Sequence, residues 1–386
     1  MELFGHIYSW VELFLLAVLL VAFAYQLYFY LRYIAGVLRQ NRRRNKGKVS
    51  YSMDKPPVSV IIAAKDEEDN LRKFLVQILE QDYPEFEVIV INDASEDGTE
   101  DVCKALKEKY PYLHTTFVPK GTKNISTKKL AITLGVKAAK YDLLLFTDAD
   151  CYPQSNLWID KMVRNFTPQT DFVLGYGAYE EEKTMLNHLI TYDTLFINLQ
   201  YMGMAFAGKP YMGVGRNLAY RKSVFFREKG FSSSLNLLSG DDDLMVNKAS
   251  CGENTRAEIS SESITWSVPK KTFKNWYYQK IRHLSSSAYY KKSTKLNIGI
   301  EPVCRGAFYL FFVLIMFLGS LNVVLAALAL FLLRYIMQFV IVNRSSKLFL
   351  GRTYVGSLLL FDIFLPLLSL YVLLTGKSRK KNMKWR

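Results

Sequence analysis

The chain has little of the chemistry that most often announces a function. Its four cysteines, Cys103, Cys151, Cys251 and Cys304, lie far apart with no C-x-x-C pair, so spacing indicates neither a disulfide framework nor a cysteine zinc site. The four histidines, His6, His114, His188 and His283, are equally scattered. Any metal would therefore take oxygen ligands, which favours magnesium or manganese over zinc. The first strand-like run is followed by Ala63-Ala64-Lys65-Asp66-Glu67 rather than G-x-G-x-x-G, and no G-x-x-x-x-G-K-[ST] occurs anywhere. A dinucleotide fold and a P-loop both lack their phosphate cradles. Gly213-Val214-Gly215-Arg216-Asn217 lies in the wrong place for either and reads as a tight turn beside a ligand. The opening apolar run, Leu13 to Leu31, has Glu2 and Glu12 ahead of it instead of a basic segment, and no small-residue cleavage site follows. It is expected to be a permanent anchor rather than a cleaved leader.

What the chain does have is unevenly placed. Further apolar runs cover Ala307 to Leu333 and Val355 to Leu374, each about the roughly 20 residues that a helix needs to cross a bilayer. The formal charge is +15, but Arg39, Arg42, Arg43, Arg44, Lys46 and Lys48 form one cluster and Lys377, Arg379, Lys380, Lys381, Lys384 and Arg386 another. Both flank membrane runs and contain no acidic residue, which is the positive-inside pattern, and no nucleic-acid partner is expected. The chain should be a multi-pass protein of the cell membrane with its central domain on the cytoplasmic side. Three units follow: residues 1–54 as anchor and basic linker, 55–295 as the soluble domain, and 296–386 as a second membrane region with a basic tail. Ala307 to Val342 can be one span or a hairpin broken near Gly319-Ser320-Leu321-Asn322. A hairpin puts Arg344, Lys347 and Arg352 inside but the basic tail outside, against the charge rule.

The central domain alternates by type. Val58 to Ala64 reads as a buried strand, followed by a helix with Leu71, Phe74, Leu75, Ile78 and Leu79 on one face and Asp66, Glu67, Glu68 and Asp69 crowding its start. Phe86 to Ile91 and His114 to Val118 are two more strands, with helices through Val102 to Leu106 and from Thr127 to Ala139. The apolar Leu143-Leu144-Leu145-Phe146 ends in Thr147-Asp148-Ala149-Asp150. This is an α/β order with a mainly parallel sheet, ligands lying beyond the carboxyl ends of the strands. Asn156 to Phe166 reads as a helix and Phe172 to Tyr176 as a strand. Glu180 to Ala207, rich in large apolar residues, is either core or a membrane-facing acceptor wall. Lys270 to Lys292 interleaves aromatics with lysines, which suits a helix in the headgroup layer.

Four acidic features should meet at one sheet edge: Asp66-Glu67, Asp93, Asp148 with Asp150, and Asp241-Asp242-Asp243 in the stretch Leu238 to Leu244. Their repulsion requires cations or substrate donors. In this order they resemble the motifs of the family 2 glycosyltransferases of GT-A fold, from about Val58 to about His283. Asp66-Glu67-Glu68 is similar to the family's opening N-E, and Asn92-Asp93-Ala94-Ser95 with Asp97-Gly98-Thr99 to its D-x-S-x-D-G-T. Lys128, Ala131 and Gly135 match its G-K-x-x-A-L-N-x-G helix. Asp148-Ala149-Asp150 resembles its D-x-D, Asp241-Asp242-Asp243-Leu244 its E-D-x-[DE]-L, and Gln279 to His283 its Q-x-x-R-W.

The resemblance implies a role for each position. Asp150 and Asp148 would hold a magnesium or manganese ion against the diphosphate of a nucleotide sugar, a UDP-sugar being the expected donor. Asp93 would recognise the base, with Asp66 or Glu67 nearby, and Lys128 would add charge by the phosphates. Asp241 or Asp242 would be the base of an inverting transfer, Asp241 aligning on Leu244, although Gly240 stands where the family has Glu. Gln279 and Arg282 would close over diphosphate and acceptor. His283 in place of tryptophan argues against a processive polymerase. The acceptor would be a membrane lipid or lipid-linked glycan. A polyprenyl-phosphate sugar transferase or a processive synthase stands as an alternative, and a transporter subunit with a nucleotide-binding domain is the non-enzyme rival. Against the last, Asn322, Arg334, Gln338 and Asp362 are too sparse in the membrane runs to suggest a pathway.

Overall fold

The computed structural model describes residues 2–3, 6–7, 9–119, 126–237 and 239–379. Leu238 of the expected acidic motif and the basic tail from Lys380 onward lie outside the described residues.

A small antiparallel ladder, β1 (Glu2–Leu3) with β2 (His6–Ile7), precedes α1 (Trp10–Phe29). Ser9 and Glu12 close a capping box at the start of α1, so two otherwise unpaired amides find acceptors. The helix continues through a π-helical segment, Tyr30–Ile34, into α2 (Gly36–Asn45), whose last turn places Arg42, Arg43 and Arg44 at the negative end of the dipole. The next elements are β3 (Val58–Ala64), α3 (Glu68–Leu79), β4 (Phe86–Asn92), α4 (Thr99–Lys109), β5 (Leu113–Phe117), α5 (Thr127–Ala138), β6 (Leu143–Asp148) and β7 (Cys151–Pro153). Then come α6 (Trp158–Val163), β8 (Phe172–Leu174), β9 (Gly177–Tyr179), α7 (Met185–Phe206), β10 (Leu218–Arg221) and α8 (Lys222–Arg227). The chain closes with α9 (Asp243–Ala249), β11 (Thr255–Ala257), β12 (Thr265–Ser267), α10 (Phe273–Ser287), α11 (Lys292–Leu318), α12 (Leu321–Leu348) and α13 (Ser357–Arg379).

Seven strands form one sheet in the order β11-β8-β10-β6-β3-β4-β5. β3 is parallel to both β4 and β6, with Ala64 opposite Asn92 and Ala63 opposite Asp148. The carboxyl ends of β3, β4 and β6 therefore share one edge, as the alternation of strands and helices predicts. The sheet is mixed rather than wholly parallel, because β10 runs antiparallel to both β6 and β8. A second sheet, β7-β12-β9, adjoins that edge. Both faces of the main sheet are covered: Val60 and Ile62 pack with Leu71, Leu75 and Ile78 of α3, and Ile61, Ile89 and Ile91 pack with Ala131 and Val136 of α5. Gly135 permits the second contact, since a Cβ there would lie 2.6 Å from Ile91 Cδ1.

Two segments left open by pattern are placed by packing. Glu180 to Ala207 is a core element: Tyr192, Leu199, Tyr201 and Met202 of α7 are buried, and the helix is wedged between the sheet and the anchor. It meets the anchor backbone to backbone, because a Cβ on Gly36 would lie 2.8 Å from the Gly203 Cα. The aromatic and basic segment after Lys270, expected in the headgroup layer, packs one of its faces on the sheet domain. Trp276, Tyr277 and Ile281 of α10 are buried, and Lys280 Nζ pairs with both Asp193 oxygens of α7 at 2.8 Å. Only Phe273, Tyr278 and Tyr289 stay exposed. Helical spacing put half of those aromatics on an inward face that composition alone does not reveal.

Among the described residues, three helices are long and apolar enough to cross a membrane: Trp10–Asn45, Lys292–Leu318 and Leu321–Leu348. α11 and α12 form the hairpin, broken at Gly319-Ser320. At its far end the Ser320 amide donates to Glu12 Oε1 at 2.6 Å. At the other end Arg352 ties the connection after α12 to the sheet domain, its amide donating to Glu181 Oε1 at 2.5 Å and its Nη2 to Asn187 Oδ1 at 2.6 Å. Arg334, Gln338 and Asp362, judged sparse in sequence, are gathered in space. Arg334 pairs with Asp362 at 2.8 Å, Arg305 pairs with Asp362 at 3.1 Å and with Glu301, and Gln338 Nε2 donates to Tyr30 Oη at 2.6 Å. Two arginines against two carboxylates balance inside the helix bundle, which a linear reading, separating these residues by dozens of positions, could not show.

Candidate active site

The loops after β3 and β4 are laced together at the shared edge. Asp66 (φ 53°) and Ala94 (φ 52°) both sit in the left-handed region, bending each loop back toward the other. The Asp66 amide donates to Ser95 Oγ at 2.9 Å, the Glu67 amide to Thr99 Oγ1 at 3.0 Å and the Glu68 amide to Asp97 Oδ2 at 3.0 Å. In return the Glu96 amide donates to Asp66 Oδ1 at 2.8 Å and the Gly98 amide to Glu68 Oε2 at 3.0 Å. Gly98 is small of necessity, since a Cβ would lie 2.6 Å from that carboxylate. Ser95, Asp97, Thr99 and one oxygen of Asp66 are thus occupied in fastening two loops. Asp93 differs: it is 1% exposed, and its Oδ2 has no partner among the described residues, a free buried acceptor awaiting a donor.

Beside these loops lies a cleft lined by Ala63, Lys128, Asp148, Gly215, Asp241 and Asp242. Lys128, in the first turn of α5, bridges two elements: its Nζ is 3.0 Å from Asp148 Oδ1 and 3.4 Å from Asp241 Oδ2. Burial alone would lower its ammonium, but Asp148, Asp241 and Asp242 outweigh that and hold it above the usual lysine range. Asp148 is the mirror image, burial working against its ionisation while Lys128, Arg216 and Arg282 keep it below the usual carboxylate range. Asp150 is pushed up by burial and by Asp148. Glu67, which accepts from Asn70 Nδ2 at 2.5 Å, is pushed up to about 7 by burial, with Asp150 and Asp148 adding to the rise.

The three aspartates at the start of α9 are not equivalent. Asp242 caps that helix, its Oδ1 accepting the Asp243 amide at 2.8 Å and its Oδ2 the Gly215 amide at 2.6 Å. Burial, then Asp241 and Asp243, push it up to about 7. Asp243 points away from the cleft, accepting from Ser286 and from Tyr290 Oη at 2.6 Å, which anchors the far end of α10. Asp241 faces the cleft with Lys128 beside it. Gly240 has φ 94°, and a Cβ there would lie 2.5 Å from Leu244 Cδ1, so this turn demands glycine where the family motif has Glu.

Of the positions expected from sequence, Lys128, Asp148, Asp241 and Asp242 line one cleft, and Asp150 and Glu67 join it electrostatically. Arg282 reaches it too, lowering Asp148. Gln279 is one step removed, donating from Nε2 to Tyr179 Oη at 2.9 Å. The contact in between was missed in sequence: the Arg216 guanidinium lies 4.2 Å over the Tyr179 ring, in a place open only because Gly177 has no Cβ. Its charge reaches Asp148 and Asp150. The signal was there, since Gly213 to Asn217 read as a turn beside a ligand, but the cation within it was not singled out.

One oxygen or sulfur each from Asp148, Asp150 and Cys151 lies within 4.8 Å of the others. Cys151 is buried against Ser267 Oγ at 2.8 Å and its thiol is pushed well up by burial, so it remains protonated. The two carboxylates would be the donors, and a hard divalent cation fits an all-oxygen pair.

Residues 59–226 match the model of "Glycosyl transferase family 2". The chain is 26% identical over 239 residues to the Probable glycosyltransferase YdaM of Bacillus subtilis (strain 168), covering 61% of this chain and 56% of that protein. It is 25% identical over 157 residues to the Poly-beta-1,6-N-acetyl-D-glucosamine synthase of Staphylococcus aureus (strain MSSA476), covering 38% and 37%. The chain thus spans about half or less of the length of these curated relatives. Among solved structures, the mannosyltransferase PcManGT from Pyrobaculum calidifontis, in complex with GDP-Man and Mn2+, superposes with a TM-score of 0.59 at 18% identity, covering 95% of this chain and 99% of that one. From β3 to α8 the chain therefore carries a family 2 glycosyltransferase domain, built on the GT-A fold.

Proposed function

We propose that the chain is an inverting glycosyltransferase that moves a sugar from a nucleotide-sugar donor to a membrane-associated acceptor without processive polymerisation, its catalytic domain on the cytoplasmic face. The convergence of Lys128, Asp148, Asp150 and Asp241 on one cleft at the carboxyl edge of the sheet carries this reading. Asp93, with its free buried oxygen, binds the base, and Arg216, Lys128 and Arg282 surround the diphosphate with positive charge. A magnesium or manganese ion held by Asp150 and Asp148 would supply neutralising charge to the departing nucleoside diphosphate. Asp241 accepts the proton of the acceptor hydroxyl as that oxygen attacks the anomeric carbon from the face opposite the diphosphate. Asp242 is the lesser candidate for that step, because both its oxygens already accept backbone amides. Apolar helices beside the domain, and Arg39 to Lys48 immediately after the first, support a membrane acceptor and a cytoplasmic site.

The test is release of nucleoside diphosphate by the full chain in detergent or vesicles, with UDP- and GDP-sugars, membrane lipid extracts as acceptors, and manganese present or chelated. Metal-dependent release that rises with the lipid extract is expected. No release from any sugar nucleotide, at any metal concentration, overturns the proposal.

A further inference from the structure

α13 reads in sequence as one more membrane span, yet its contacts run sideways. We propose that α13 does not cross the bilayer: it lies in the plane of the leaflet nearest the catalytic domain, one face packed under α7 and α10 and the other seated among lipid chains. This rests on reading α1, α11 and α12 as spans.

Depth can be gauged from α1. Its far end is marked by Glu12, bonded to the Ser320 amide, and by Phe14, whose ring lies 6.3 Å from Phe311. Trp10–Phe29 is twenty residues, about 30 Å at 1.5 Å per residue, the thickness of a hydrocarbon core. Gln26, donating to the Glu301 carbonyl at 3.2 Å, and Tyr30, bonded to Gln338, therefore mark the boundary on the catalytic side. α13 joins that belt through Asp362, held by Arg305 and Arg334. A helix descending from there would carry Tyr371, nine residues on, about 13 Å deeper.

Tyr371 does not descend. Its ring lies 6.1 Å from that of Tyr277 on α10, and α10 belongs to the catalytic domain by three fastenings: Gln279 to Tyr179, Lys280 to Asp193, and Ser286 to Asp243. Phe361 packs 5.4 Å from Tyr192 of α7 in the same way. Leu358, Phe361, Leu365, Leu368 and Val372 follow helical spacing and are all buried in the core that includes Trp276, Tyr277 and Ile281. The opposite face is apolar and open, with Leu360 52%, Leu367 62% and Leu370 54% exposed. It begins beside the α12 span, where Tyr335 Oη donates to the Val355 carbonyl at 2.8 Å. Lipid is the occupant that meets both facts, an apolar face continuous with a span and a cationic end suited to anionic headgroups. Arg344, Lys347 and Arg352 then lie on one side with Arg39 to Lys48. The leaflet is also brought directly under α10, the helix carrying Gln279 and Arg282.

Two measurements on the full chain in sealed vesicles test this. An epitope tag placed after Arg386 should share its protease accessibility with a tag inserted at exposed Met53, and oppose one placed before residue 1. Nitroxide labels on Leu360→Cys, Leu367→Cys and Leu370→Cys, with Cys251 and Cys304 replaced by Ser, should report one shallow depth. A crossing helix would give a ramp of about 15 Å between the first and last. That ramp, or a tag after Arg386 on the N-terminal side, overturns the proposal. A control label on Leu325→Cys in α12 that finds no lipid overturns the spans themselves. Neither readout involves sugar transfer, so loss of the enzymatic reading leaves this one standing.

Discussion

Asp241 and Asp242 are adjacent, and converting each to Asn should separate chemistry from architecture. Asp241→Asn removes a proton acceptor that faces the cleft and has one oxygen 3.4 Å from Lys128 Nζ. Removal of a positioned general base lowers kcat by about 10²–10⁴-fold. The acceptor KM, the nucleotide affinity and the Tm should change little, because among the described residues no backbone amide bonds to this side chain. Asp242→Asn puts an amide NH2 where one of two backbone N–H groups, from Gly215 or Asp243, now finds an oxygen. A buried donor left facing a donor costs about 1–3 kcal/mol, a fall in Tm with kcat reduced far less. The pH dependence adds a check. Asp242 is raised from 3.8 to about 7, so the folded state holds its proton more tightly than the unfolded state. Its contribution to stability is complete below pH 3.8 and is lost as pH rises through about 7; the Asn variant should lose that part of the slope and keep the part that Glu67, also raised to about 7, contributes. Nucleoside diphosphate release and thermal melts from pH 5 to 8 on the same preparations read both effects. Full turnover in Asp241→Asn, with turnover abolished and Tm unchanged in Asp242→Asn, would refute the assignment.

Three further outcomes follow from the geometry. Arg216→Ala should weaken nucleoside diphosphate binding about 10- to 100-fold by calorimetry, the loss of a charged contact worth about 1.5–3 kcal/mol, while leaving the Tm of the ligand-free protein nearly unchanged. Gly203→Ala places a Cβ into the Tyr33 carbonyl oxygen and should lower stability by about 1–3 kcal/mol, seen as a reduced Tm in detergent; an unchanged Tm would mean that the anchor and α7 are not rigidly joined. Asp362→Leu leaves Arg305 and Arg334 without their shared carboxylate and should destabilise the bundle by about 3–5 kcal/mol, read as loss of folded protein on detergent extraction.

Periodicity made the sheet domain legible. Val58 to Ala64, Phe86 to Ile91 and Leu143 to Asp148 are continuous apolar runs because the strands are covered on both faces, and the α3 face was read residue by residue. The order of those strands also predicted that Asp93 and Asp148 share an edge, since parallel strands bring their carboxyl ends together. What escaped was whatever depends on contacts distant in sequence. Asp66 and the motif Ser95, Asp97 and Thr99 proved to be occupied in lacing two loops, which no spacing rule distinguishes from ligand binding.

By itself the sequence determined the α/β domain, its acidic edge, the anchor and the charge asymmetry beside it, because burial period and charge placement are local properties of a chain. Tertiary structure alone decided that Asp242 and Asp241 differ, that Arg216 stacks on Tyr179 beside the D-x-D, and that Arg305, Arg334 and Asp362 form one balanced group. It also decided what α13 packs against. A helix apolar on every side has the same sequence whether lipid covers all of it or protein covers half, and only the neighbours of Phe361 and Tyr371 tell the two apart.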